Sequence, residues 1–388
     1  MSELTLGDVA HIVMGQSPDG RTYNKTGEGT PLLNGPVEFG EKYPTAIQWT
    51  TEPSKFSEPG DILFCVRGNT LGRQNLADRV YAIGRGLAAI RARANEADTE
   101  YLGLWLQFKA KSILDAGNGS TFPSVSGDYL EALEFPRVES VQQTRIAESL
   151  RRQLAEVESA YQAAFSQVLD AALLPTRILN EVFNYIAGDP VTLGEMLIDI
   201  QAGKSFQTAE TLAGPDELGV LKVSAVTWTE FRPSEAKALR DTYDPADSHR
   251  VKNGDFIISR ANTKEFVGAV VLVDRDYPNR LLSDKTLRLV VDESRVCKEY
   301  LLYALRTSMA RRHIEHFATG TSDSMRNIAQ GTINSIPLCL PELNEQKRLA
   351  TQLKARLKEV TDIRSAIETK LQDIEQLPNR ILAQAFES

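Results

Sequence analysis

The chain has 388 residues, 42% of them hydrophobic and 25% charged, which is room for two or three domains with sizeable cores. A net charge of −8 argues against a simple nucleic-acid binder, and three scattered cysteines suit a reducing cytoplasm better than a disulfide scaffold. The longest strongly apolar run, Val267 to Val273, is too short to span a membrane, and the opening Met1 to Thr5 lacks the basic-then-apolar order of a signal peptide, so neither is expected.

Residues 1–141 read as a domain of short strands, turns and a few helical pieces. Leu4 to Val9 opens it, and a polar loop from Gly15 to about Gly29 carries Gln16, Ser17 and Arg21. Glu58 to Asp61 is a turn into an apolar strand, Ile62 to Val66, which delivers Arg67, Asn69 and Thr70, with Arg73 just beyond. Tyr101 to Leu114 has helical spacing, and a polar loop with Ser120, Thr121 and Ser124 follows.

From Gln143 the pattern changes. Leu150, Leu154, Val157, Tyr161, Ala164, Val168 and Ala171 fall at alternating steps of four and three. That is a heptad seam, the mark of a helix that buries one stripe against a partner helix. Pro175 fits the first turn of a short second helix, where its missing N–H costs nothing. This spacer spans 142–187.

Residues 188–343 rerun the first domain. Val191 to Met196 echoes Leu4 to Val9, and Ala202 to Ser205 echoes Met14 to Ser17, which puts Lys204 and Ser205, with Gln207 beyond, in the first polar loop. The turn at Gly254 and Asp255 leads into strand Phe256 to Ser259, which delivers Arg260, Asn262, Thr263 and Lys264 as the first strand delivers Arg67 to Thr70. Ser322, Ser324, Arg326 and Asn327 stand where Ser120 to Ser124 stood.

Residues 344–388 repeat the spacer at an offset of 203. The seam becomes Leu353, Leu357, Val360, Arg364, Ile367, Leu371 and Ile374, with one charged member. The flanks match as well: Gln143, Arg145 and Ala147 answer to Gln346, Arg348 and Ala350, and Leu174, Pro175, Leu179 and Phe183 to Leu377, Pro378, Leu382 and Phe386. The chain is a tandem duplication. Domain termini lie close together, so the second domain should join the C-terminal end of helix one to the N-terminal end of helix two. The helices are then antiparallel about a pseudo-two-fold axis, with Tyr161 opposite Arg364 in a cation–π contact.

Catalytic signatures are sparse. No phosphate-binding loop, His-Glu-x-x-His or Cys-x-x-Cys occurs, and His313 and His316 share a helical face without a third ligand. Asp216, Glu235 and Lys237 satisfy the loose acid, acid, lysine pattern of metal-dependent nucleases. The first domain has no counterpart to it. The repeated loops, rich in Arg, Asn, Ser and Thr, suit phosphates and base edges, Arg for guanine and Asn for adenine. They are also ordinary turn chemistry, and composition leaves both readings open.

Leu340, Pro341, Glu342, Leu343, Glu345, Gln346, Arg348 and Leu349 resemble the Pro-Pro-Leu-x-Glu-Gln-x-x-Ile lead-in to the long helices of the specificity subunits of type I restriction–modification enzymes. Leu377, Pro378, Arg380, Leu382 and Phe386 resemble that family's helix exit, and the domain–helix–domain–helix order covers nearly the whole chain. The first lead-in, Phe135 to Gln143, lacks the full form. The resemblance implies two tandem α/β (α+β) target-recognition domains, separated by a long antiparallel two-helix coiled coil. Each domain would read one half of a bipartite site in double-stranded DNA. It also implies no catalysis and no cofactor in this chain. Two modification subunits would carry S-adenosylmethionine and methylate adenine, and motor–nuclease subunits would join them for restriction. The other readings are a nuclease built on Asp216, Glu235 and Lys237, and a non-catalytic coiled-coil protein adaptor.

Overall fold

The computed structural model describes residues 4–117, 123–240 and 245–387. The chain falls into two compact units, Met1–Phe165 with Thr369–Ser388, and Ser166–Glu368. Among the described residues no helix is long and apolar enough to cross a membrane.

The first unit opens with a helical turn, α1 (Leu6–Val9), and β1 (Ala10–Met14). It continues through β2 (Tyr23–Asn24), β3 (Thr30–Leu33), β4 (Gln48–Thr50), β5 (Phe56–Ser57), β6 (Ile62–Cys65), β7 (Gln74–Leu76), β8 (Tyr81–Ile83) and β9 (Leu87–Ala92). Then come α2 (Thr99–Gly117), α3 (Gly127–Glu131) and the start of the long α4 (Ser140–Asn184). The strands form a four-stranded sheet, β1-β9-β6-β7, and a five-stranded sheet, β2-β4-β3-β8-β5. All four residues of β6 are buried, as its continuous apolar sequence requires of a strand covered on both faces.

The second unit holds β10 (Asp189–Thr192), β11 (Leu197–Ala202), β12 (Thr208–Leu212), β13 (Gly219–Leu221), β14 (Ala236–Leu239), β15 (Arg250–Val251) and β16 (Phe256–Ser259). After them come β17 (Ala261–Asn262), β18 (Val270–Leu272), β19 (Tyr277–Leu281), β20 (Thr286–Val291), α5 (Lys298–Ala304) and α6 (Ser308–Phe317). A hairpin of β21 (Thr319–Ser322) and β22 (Met325–Asn327), then α7 (Gln330–Asn334), β23 (Pro337–Leu340) and α8 (Leu343–Phe386) complete the chain. Its sheets repeat the first unit's: β11-β20-β16-β18 has four strands and β12-β14-β13-β19-β15 has five. Even the parallel pair recurs, β3 with β8 and β13 with β19, in sheets that are otherwise antiparallel. The duplication is therefore structural.

The same devices hold both copies. At the turn before β6, Gly60 takes φ +90° and Asp61 receives two hydrogen bonds from Arg91 at 2.7 and 2.9 Å. Before β16, Gly254 takes φ +75° and Asp255 receives two from Arg288 at 2.8 and 2.7 Å.

Within each unit a segment of α4 and one of α8 meet and run in opposite directions. In the second unit Leu179 of α4 shares a core with Leu349 and Leu353 of α8, and Arg356 lies 3.7 Å from Glu181. In the first unit Phe386, near the end of α8, packs on Tyr101 and Phe108 at ring distances of 5.3 and 5.6 Å, in the core that holds Ala147 of α4. Phe183 makes the matching contact in the second unit, 5.3 Å from Tyr300.

Along α4, Leu150, Ala164 and Ala171 are buried and Leu154, Val157, Tyr161 and Val168 half-buried, while the residues between them are exposed. Along α8, Leu353, Val360 and Ile374 are buried and Leu357, Ile367 and Leu371 half-buried. Arg364 breaks the seam: its side chain is 52% exposed and donates to Glu368 one turn on at 2.8 Å. An arginine in the seam would lose hydration, and a long flexible stem lets it snorkel to water instead. The prolines also depart from expectation. Both helices run unbroken through Pro175 and Pro378, so no second helix starts there. Each proline removes one hydrogen bond from the helix ladder, and the turns on either side carry the helix across.

Candidate nucleic-acid interface

In each unit the backbone brings two of the marked loops side by side. In the first, Val125 N–H donates to the Val66 carbonyl at 3.1 Å, Gly68 N–H donates to the Pro123 carbonyl at 2.8 Å, and Arg67 bridges Ser124. In the second, Ile328 N–H donates to the Arg260 carbonyl at 2.9 Å, and β17 pairs with β22, Ala261 facing Asn327 and Asn262 facing Arg326. Lys264 N–H donates to the Asp323 carbonyl at 2.8 Å, which draws Thr263 and Lys264 to the hairpin of Ser322 and Ser324. Ser120 and Thr121 lie outside the described residues.

The echo of Arg67 in Arg260 is out of register by one residue. Val66 N–H donates to the Gly86 carbonyl at 3.0 Å, and the equivalent bond, at 2.9 Å, runs from Arg260 N–H to the Lys285 carbonyl. Arg260 thus takes the place of Val66, and Ala261 takes that of Arg67. In extended chain a shift of one residue turns a side chain to the opposite face, so the two arginines are not counterparts.

Asn262 also corrects an expectation. It is 8% exposed, and its amide donates to the Val223 carbonyl at 3.3 Å while its carbonyl oxygen accepts from Thr263 N–H at 2.8 Å. In this structure its amide is therefore engaged inside the domain, tying the loop to the segment after β13 rather than projecting from it. Asn69 in the first unit is exposed. Arg326 is tied into its hairpin, to Asp323 at 2.8 Å and the Gly320 carbonyl at 3.2 Å. Thr263, Lys264, Ser322 and Ser324 are exposed beside it.

The remaining marked residues do not join these groups. Arg21 is bound at 2.6 Å by Asp19, whose carboxyl that hydrogen bond holds below the usual range. Arg73 is exposed at the approach to β7, and Gln16 is exposed beside half-buried Ser17, whose hydroxyl accepts from Arg85 N–H at 3.3 Å. Lys204, Ser205 and Gln207 are exposed between β11 and β12, with Lys204 5.8 Å over the Phe206 ring.

The first unit carries an open cleft of about 580 Å3 lined by Gly15, Arg67, Arg85, Ser124, Ser126, Gly127 and Tyr129, among others. Gly15 is needed at its rim, because a Cβ there would lie 2.2 Å from the Gly84 carbonyl oxygen. Sequence reasoning missed Arg85, although an arginine between Gly84 and Gly86 in a turn could have drawn notice.

Two members of the nuclease constellation, Glu235 and Lys237, are engaged with other residues. Glu235 accepts from Lys222 and Ser224, both at 2.6 Å, contacts that lower its pKa, and Lys237 pairs with Glu210 at 3.0 Å. Among the described residues no cluster of three metal-binding side chains occurs. His313 sits 3.0 Å from the Ser335 hydroxyl, and burial lowers its pKa.

Residues 1–162 match the family described as type I restriction modification DNA specificity domain. A putative MjaX specificity subunit of Methanocaldococcus jannaschii is 36% identical over 140 residues, which cover 36% of this chain and 33% of the relative. The EcoEI specificity subunit of Escherichia coli is 27% identical over 181 residues, 46% of this chain and 30% of the relative. The chain thus spans about a third of the length of these curated relatives. In fold it matches the HsdS subunit from Thermoanaerobacter tengcongensis over 99% of its length and 96% of that chain, at 19% identity and a TM-score of 0.63. A chain from a structure on complex assembly and conformational transition of the type I R-M system matches over 99% and 97%, at 19% identity and a TM-score of 0.75.

Proposed function

We propose, from the match of residues 1–162 to the type I restriction modification DNA specificity domain and of the whole chain to the fold of such subunits, that this protein selects the DNA target of a restriction–modification complex. It binds a bipartite site in double-stranded DNA, one half for each recognition domain, and docks two methyltransferase subunits. S-adenosylmethionine and the transfer of its methyl group to adenine belong to those partners, and motor–nuclease subunits add restriction. This chain binds and positions and does no covalent chemistry. The carrying observation is the duplicated frame: two copies of one pair of sheets, each presenting a latched pair of loops rich in hydrogen-bonding side chains. It also accommodates the acidic net charge, because the partners share the grip on DNA.

The test is to express the chain with its modification partner and map the methylated adenines genome-wide. Two short unequal blocks flanking an unread gap are expected. Exchanging residues 1–141 for those of a relative should change one block and leave the other. Methylation without a bipartite motif, or a swap that alters both blocks, would contradict the assignment.

A further inference from the structure

The cleft of the first unit has a chemistry that its counterpart in the second lacks. Arg67 and Arg85 both line it, both are exposed, and neither has a carboxylate partner among the described residues. Ser124, Ser126 and Tyr129 add hydroxyls, and no carboxylate or carboxamide side chain lines the cleft. Two guanidinium forks and hydroxyls, with backbone close at hand, suit an oxyanion that only accepts hydrogen bonds. A base edge would call for an acceptor side chain as often as for a donor.

The backbone pairings fix the comparison position by position. Cys65 faces Leu87 as Ser259 faces Thr286, so Arg85 corresponds to Asp284 and, as shown above, Arg67 to Ala261. Val125 and Ile328 are equivalent through their bonds to Val66 and Arg260, so Ser126 corresponds to Ala329 and Tyr129 to Thr332. The second copy has lost both arginines and gained a carboxylate at a position whose backbone is unchanged. The frame does not need those arginines for its own stability.

We propose that Arg67 and Arg85 clamp one phosphate of the DNA backbone at the half-site read by the first domain, and that the other half-site has no equivalent clamp. The proposal rests on the functional reading above and adds an asymmetry to it. The clamp sets where the first domain sits on the duplex and carries none of its base discrimination.

The test uses the complete complex with its modification partner. Affinity for the cognate duplex is measured against salt for the wild type, Arg85→Ala and the Arg67→Ala/Arg85→Ala pair. Loss of one phosphate contact should lower the slope of log K on log salt by about 0.9, so that affinity falls about 3.5-fold less between 50 and 200 mM. The methylated motif should stay the same, and Arg85→Lys should keep most of the slope. A single neutral methylphosphonate, walked along the first half-site, should weaken the wild type at one position and leave the double variant insensitive there. An unchanged slope in a salt-dependent complex would overturn the clamp, and so would relaxation of one base in the mapped motif. A wild-type complex that binds DNA without salt dependence would instead sink the functional reading itself. Thermal melts of the variants should match the wild type, because both side chains are exposed.

Discussion

Gln143 and Gln346, 203 positions apart, make the same three hydrogen bonds. The amide of Gln143 donates to the carbonyls of Glu96 at 3.1 Å and Val138 at 2.9 Å and accepts from Asp98 N–H at 2.9 Å. That of Gln346 donates to Arg295 at 3.1 Å and Pro341 at 2.8 Å and accepts from Cys297 N–H at 2.8 Å. Both side chains are buried, so each staples the start of a long helix to its own domain. Truncating Gln346 to Ala strands three backbone groups, that of Pro341 buried and those of Arg295 and Cys297 part-buried, and should cost about 1–3 kcal/mol. Hydrogen exchange should show faster opening around Cys297, with the first unit unaffected. Equal acceleration in both units would show that the staple is not local.

Of the ion pairs at the two turns, the second is the more enclosed, since Arg91 of the first is 35% exposed. Asp255 and Arg288 are both nearly enclosed, and removing one partner leaves a buried charge uncompensated. Asp255→Ala should destabilise the second unit by about 3–5 kcal/mol. Replacing both partners with apolar residues of similar volume should recover much of that loss. Denaturant melts of the single and double variants decide it, and a single variant as stable as the wild type would refute the account.

Phe183 and Phe386 exchange places across the repeat, because each closes the unit built around the other's domain. A fragment of residues 1–187 keeps Tyr101 and loses Phe386. In a homodimer, Phe183 of the second copy takes the vacant position. The fragment should therefore dimerise, and Phe183→Ala should cost about 2 kcal/mol at each of two contacts, on the order of a thousandfold in the dissociation constant. Arg364→Leu in the complementary fragment, 188–388, should change little, since Arg364 already lies in solvent beside Glu368. Sedimentation of the four species tests this, and a monomeric 1–187 would sink it.

Burial pushes the Cys65 thiol from an ordinary value of 9.0 up to about 12. The unfolded thiol loses its proton first, so native stability falls as pH rises through that window and is unaffected below it. At pH 8, native Cys65 should resist alkylation by iodoacetamide long after half-exposed Cys297 and Cys339 have reacted, as peptide masses would show. Cys65 modified at the rate of the other two would mean that β6 opens readily.

Periodicity and spacing carried the architecture, because they report on faces and frames. The heptad seam, the glycine–aspartate turns and the offset of the two spacers all depend on regular geometry, and all are visible in the order of residues. The site was harder to read. Arg67 and Arg260 sit in similar words, yet one residue of slip in an irregular loop turns them to opposite faces. Asn262 looked like a reader because its composition says what it can bond, not which way it points. Arg85 went unmarked because its value comes from Arg67, nearby in space and eighteen residues away in sequence. Pro175 has the sequence context of a helix start, where proline is favoured, yet a long helix with packed flanks tolerates one lost hydrogen bond.

The aromatic exchange also bears on the order in which the molecule is made. The second unit is one continuous stretch, Ser166–Glu368, whereas the first needs the segment that begins at Thr369. On the ribosome, the domain synthesised first must wait with Tyr101 and Phe108 uncovered until Phe386 emerges, while the later domain already has all of its parts. A chain truncated after Glu368 and released should therefore present a closed second unit and an unfinished first one, distinguishable by limited proteolysis in α2.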